Sequence, residues 1–229
     1  MKNPKVMKPS INGRFSPHGF ARAASKRLIV LTLSFLALPC LLSAQTLLHR
    51  YSFVSDASDS IGGANGTLQP PTSGAAATIS SGLILPGGAG SGYVSLPAGI
   101  LSGTTNLTIE CWTAQATQQN WAELLNFGVG GTATYLALIA DNNANANHLS
   151  VGFRLNNTES DAVAGFPLPD NQEQYIAVTF NTNTLVGNLY TNGILVASTT
   201  VPNINYTPGF LGGAGGPTVN TLGVDPWND

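Results

Sequence analysis

The sequence predicts an all-β domain of two packed antiparallel sheets, on three observations. Residues 174–199 read as three successive strands with both turns written in, strand signals recur about every 8 to 15 residues from Gln45 onward, and no amphipathic helix of useful length interrupts them. Each sheet must cover its apolar face with another layer, which makes a sandwich the natural architecture. No segment repeats another, so a solenoid or propeller does not fit.

In the three-strand unit, Tyr175, Ala177 and Thr179 alternate with Ile176, Val178 and Phe180, and the polar run from Asn181 to Thr184 ends the pattern. Val186 to Thr191 follows. Asn192-Gly193 then supplies a two-residue turn, since a type I′ turn needs positive φ twice and these two residues tolerate it best. The third strand is Ile194 to Thr199.

Taken in order, the other expected strands begin with Leu47 to Phe53, which puts Leu47, His49, Tyr51 and Phe53 on one face. An acidic loop from Asp56 to Gly66 and a Pro- and Ala-rich passage to Ser81 come next, then short strands at Leu83–Leu85 and Tyr93–Leu96. Leu107–Trp112, Glu123–Phe127 and the wholly apolar Tyr135–Ala140, suited to a sheet centre, follow. The polar run Asp141 to Asn147 reads as a loop before a strand at Leu149–Arg154. Residues 156–174 hold Pro167, Pro169 and four of the eleven acids, and read as a long exposed connection. Past the glycine-rich loop at 212–216, Thr221–Val224 is the last strand.

The first 44 residues have the parts of a secretory leader. Residues 1–27 carry seven positive charges and no acid, Leu28–Ser43 is apolar, and Ala44 offers a cleavage site before Gln45. The competing reading is a retained anchor, but sixteen residues interrupted by Pro39 fall short of the roughly 20 that span a bilayer. Cys40 lacks the small preceding residue of a lipidation site. Residues 45–229 then form one domain whose only cations are Arg50 and Arg154 against eleven acids, a net charge of −9. That charge repels phosphate backbones and anionic lipid, so nucleic acid and, after cleavage, membrane are not expected partners.

Several features resolve toward plain structural roles. Cys111, the sole cysteine after residue 44, shares a face with Leu107 and Ile109 and reads as core; Trp112 also reads as core. His49 and His148 come with no nucleophile signature. Gly87 to Gly92 leads into a strand without a following lysine, so it makes no phosphate cradle. Trp121, Tyr206 and Trp227 fall in or beside expected loops and are the candidate ligand platforms.

Six short motifs recur in a familiar order: Tyr51-Ser-Phe53, Asn65-Gly66-Thr67, Tyr93-Val-Ser-Leu-Pro97, Leu107-Thr-Ile-Glu-Cys-Trp112, Ala177-Val-Thr-Phe180 and Leu189-Tyr-Thr-Asn-Gly193. In this the chain resembles the concanavalin A-like lectin/glucanase superfamily, and within it the bacterial laminin G-like, pentraxin-related domains. The resemblance implies an antiparallel two-sheet jelly-roll sandwich over residues 45–229. Two departures stand out. The family's Trp and His before the Ala-Val-Thr strand are Glu173 and Tyr175 here, and the family's closing Gly-x-Ile-Asp-Glu-x-Arg-Ile-Tyr strand is not found before Asp229. A domain so shortened is expected to leave the strand at Leu47–Phe53 as an open edge, to be covered by further polypeptide or a partner chain.

The resemblance also implies candidate chemistry. Relatives often hold calcium in loops, which points to Asp56 and Asp59 with backbone oxygens near Gly62 and Gly63. The superfamily's glucanases carry Glu-x-Asp-x-Glu on one strand; the similarly placed acid here is Glu110, with no second acid after it, so no catalytic residue is expected. The expectation is a secreted, non-enzymatic module recognising carbohydrate or an extracellular protein, with calcium support. A glycoside hydrolase or lyase and a structural spacer of a larger surface protein are the alternatives.

Overall fold

Which residues of each strand are apolar decides how the sheets stack. The computed structural model describes residues 45–129, 133–202, 205–209 and 218–224. The chain divides into two units, Met1–Thr46 and Leu47–Asp229, and the strands belong to the second. They are β1 (Thr67–Gln69), β2 (Thr78–Ile79), β3 (Leu83–Ile84), β4 (Tyr93–Leu96), β5 (Leu107–Ala114), β6 (Glu123–Gly128), β7 (Tyr135–Asn142), β8 (His148–Leu155), β9 (Thr158–Val163), β10 (Glu173–Asn181), β11 (Val186–Thr191), β12 (Ile194–Thr200) and β13 (Val219–Leu222).

A seven-stranded sheet runs in the order β1-β4-β13-β6-β7-β8-β9, a four-stranded sheet in the order β12-β11-β10-β5, and β2 pairs with β3 alone. Every strand pairing among them is antiparallel. Ile176, Val178 and Phe180 of β10 turn inward with Leu189 of β11, and meet Leu136 and Leu138 of β7 and Val151 and Phe153 of β8 in one core. At its centre Phe153 lies 5.3 Å from Phe180, and Tyr206 meets both edge-on at 5.8 and 5.2 Å. Gly187 makes this packing fit: a Cβ there would stand 2.3 Å from Cε2 of Phe153.

The turn at Asn192-Gly193 forms as its residues demand, with φ of 50° and 80°. Asn192 also ties down the end of β10, its Oδ1 accepting from Tyr175 N at 3.0 Å and its Nδ2 donating to Gln174 Oε1 at 2.7 Å.

Two expectations are corrected. Leu47–Phe53 forms no ladder; it touches the acidic loop through one bridge, Tyr51 to Asp59. Its backbone bonds are spent on that loop instead, Arg50 N donating to Asp59 Oδ1 (2.9 Å) and Arg50 O accepting from Ser60 N (2.9 Å). The connection at 156–174 contains a full strand, β9, which pairs with β8 from Ser150–Val163 to Leu155–Thr158. Asn156 and Asn157, at φ of 51° and 65°, turn the chain between them in two residues. Ala162 and the following Ala164 fill the inner face, while Glu159 and Asp161 point away from it.

Candidate functional site

The acidic loop is built around Asp59. Its Oδ1 accepts from Arg50 N (2.9 Å) and Ile61 N (3.0 Å), and its Oδ2 from Ala64 N (3.0 Å) and His49 Nδ1 (2.7 Å). Burial works against the charged form, but these donors outweigh it and hold the carboxyl well below the usual range. A carboxylate has about four lone-pair directions, and all four are taken. Asp56 meanwhile accepts from the N and Oγ of Ser58, an Asx turn. The pair therefore does not fit a calcium site, and among the described residues no three His, Cys, Asp or Glu side chains are grouped to hold a metal.

The aromatic candidates part ways. Tyr206 is wholly buried and spends its hydroxyl on Tyr135 O at 3.1 Å, so it is a core residue and not a platform. The reason is physical: with Phe153 and Phe180 it fills the space between the sheets. Trp121 is 37% exposed, at φ 62°, beside the end of β7. Trp227 lies outside the described residues.

Trp112 corrects the sequence reading in the other direction, because it is 67% exposed. The alternation that puts Leu107, Ile109 and Cys111 against the core puts Thr108, Glu110 and Trp112 outside. Cys111 is inert there, burial pushing its thiol up to about 11. Opposite Trp112 in register stands Tyr175 of β10, ring centroids 5.1 Å apart at 46°. A hydrogen bond to Glu110 holds the Tyr175 hydroxyl above the usual phenol range.

The rest of this outer face mixes polar and small residues with Tyr190 and the exposed Leu195 of β12. Glu110 pairs with Ala177, which pairs with Tyr190, which pairs with Leu195. One row on, Asn188 Nδ2 donates to Thr179 Oγ1 (3.3 Å) and Ser198 Oγ to Asn188 Oδ1 (2.5 Å). A large aromatic surface left in water beside fixed polar groups can stack on the apolar face of a ligand while those groups bind its hydroxyls.

A carboxyl pair that sequence reasoning missed lies on the other sheet. Glu159 and Asp161, two apart on β9, share the outer face of the seven-stranded sheet, where burial and the neighbouring Glu159 push Asp161 up to about 6. Bare backbone at Gly152 leaves room for both, as a Cβ would stand 2.6 Å from Glu159 Oε1 and 3.2 Å from Asp161 Oδ1. Tyr135 donates to Glu159 Oε1 at 2.7 Å, and Arg154 lies 3.5 Å from its Oε2. Set against Glu-x-Asp-x-Glu, this strand has the first two acids but Val163 where the third would be. The two carboxyls lie side by side on one strand face, and burial together with the charge of Glu159 favours the protonated form of Asp161.

Two antiparallel layers sharing one core, with an aromatic pair displayed on the smaller sheet, define a lectin-type β-sandwich. The chain belongs to the concanavalin A-like lectin/glucanases superfamily: a laminin G family model of that superfamily matches residues 87–229. Solved structures of similar fold include domain 4 of AbnA, a GH43 extracellular arabinanase from Geobacillus stearothermophilus, with 22% identity, TM-score 0.61 and coverage of 80% of this chain and 85% of that one. Botulinum neurotoxin type C is a second, with 14% identity, TM-score 0.54 and coverage of 79% of this chain and 43% of that one. At such identities the likeness is one of fold. No curated protein sequence matches the chain.

Proposed function

We propose that this chain is an exported, non-catalytic carbohydrate-binding module whose ligand lies across the outer face of the four-stranded sheet. The observation that carries the reading is Trp112, 67% exposed and held against Tyr175 with Glu110 beside it. Leaving an indole in water costs apolar burial that a folded core would otherwise gain, and stacking on a sugar ring recovers it. Two structural neighbours support the choice of ligand: the arabinanase domain was solved in complex with arabinotriose, and cell entry of the neurotoxin depends on two ganglioside molecules. The basic and apolar leader of residues 1–44 supports export, with cleavage before Gln45.

The saturation of Asp59 argues for binding without calcium. A glycan array probed with the exported full chain, with and without chelator, tests the reading. Hits that persist in chelator are expected. Hits lost with chelator would return calcium to the site, sugar cleavage would make the chain an enzyme, and silence across the array would leave it a spacer.

A further inference from the structure

We propose that the four-stranded face selects glycans by charge, taking oligosaccharides that bear protonated amino groups in preference to neutral ones and excluding anionic ones. This rests on the carbohydrate reading above. Register places Glu110 opposite Ala177, Trp112 opposite Tyr175 and Glu173 opposite Ala114, all in one file of outward residues. The aromatic pair is thus bracketed along the strands by two exposed carboxylates. Four residues of strand at ~3.3 Å each separate the two rows by about 13 Å, which suits a chain of sugars lying along the strands and not a single ring.

No opposing charge is available to an acid sugar. Beyond residue 27 the chain has two cations. Arg154 is engaged with Glu159 on the seven-stranded sheet and lies 5.6 Å from the Tyr135 ring centroid. Arg50 precedes β1, in the segment bound to the acidic loop, and neither belongs to the four-stranded sheet. An anionic glycan would therefore meet two carboxylates, no guanidinium and a net charge of −9 over residues 45–229. An ammonium would find a carboxylate on either side and aromatic faces between them, which is charge complementarity together with cation–π attraction.

The test compares three oligosaccharides of equal length, of glucosamine, N-acetylglucosamine and glucuronic acid, titrated at mildly acid pH into the exported full chain and its Glu110→Gln and Glu173→Gln variants. Each exposed carboxylate should be worth about two- to fivefold in affinity for the amino oligomer, an effect that fades as salt rises, and close to nothing for the acetylated one. Gln at 110 can still bond Tyr175, so a loss confined to the amino oligomer reports charge and not folding. Amino oligomer bound no tighter than the acetylated one, or glucuronic oligomer bound as well as either, overturns the proposal while leaving the carbohydrate reading standing. Binding of none of the three or of any arrayed glycan sinks both.

Discussion

The indole of Trp112 lies 5.1 Å from the ring of Tyr175 across the β5–β10 ladder, and the indole is two-thirds exposed. Such a ring contributes little to folding, because little of its surface leaves water when the chain folds. Replacing Trp112 with Ala should change stability by no more than about 1 kcal/mol, the scale of one exposed aromatic pair. The equivalent change at buried Tyr206 should cost about 3 to 5 kcal/mol. Urea unfolding of the two variants checks the contrast.

Asp59 should be the most sensitive acid in the chain. Asn in its place offers one acceptor oxygen and turns an NH2 toward donors, so the variant should lose about 2 to 3 kcal/mol at neutral pH. The carboxyl is held below its ordinary value in the folded state. Its contribution is therefore fully present above the unfolded value near 4 and is lost as pH falls from there toward the folded one. The gap between wild type and Asp59→Asn should narrow below about pH 4, and a gap that is constant from pH 7 to pH 3 would contradict the assignment.

Asp161 has the opposite sign. Its folded-state value is raised to about 6, so folding favours the protonated form and stability is lost as pH rises through the window from about 4 to 6. Asp161→Asn, which keeps a donor toward Glu159, should raise stability above pH 7 by about 1 to 2 kcal/mol, after discounting for its partial exposure. Near pH 3 the variant should match wild type. Thermal melts at the two pH values decide it.

Gly187→Ala should be costly despite adding one methyl group. The new Cβ would fall 2.3 and 2.4 Å from two atoms of the Phe153 ring, which is itself locked by Phe180 and Tyr206. A loss of about 1 to 3 kcal/mol is expected in denaturant unfolding.

Most of the sandwich was legible in the sequence because parity is a strong signal wherever one face is apolar. Tyr93–Leu96 and Val186–Thr191 match their expected bounds, and Tyr135–Ala140 lies inside a central strand. The misses have physical causes. Leu47–Phe53 has strand periodicity, but its donors and acceptors go to a loop folded on Asp59, which no periodicity reveals. At β9 the inner face is made of Ser160 and Ala162, too small to look apolar, and the acids of the outer face suggested a loop; the Asn156-Asn157 turn was the overlooked clue. The bulk of Trp112 suits a core, but the alternation that puts Cys111 inside puts Trp112 outside.

Binding of the best arrayed glycan by calorimetry to wild type, Trp112→Ala and Trp121→Ala tests the central claim most directly. If the outer face of the four-stranded sheet is the site, Trp112→Ala weakens binding at least about 30-fold, the ~2 kcal/mol of an interface anchor, and Trp121→Ala changes it less than about twofold. Full affinity in Trp112→Ala with loss in Trp121→Ala would contradict that placement and move the site to the loop after β5.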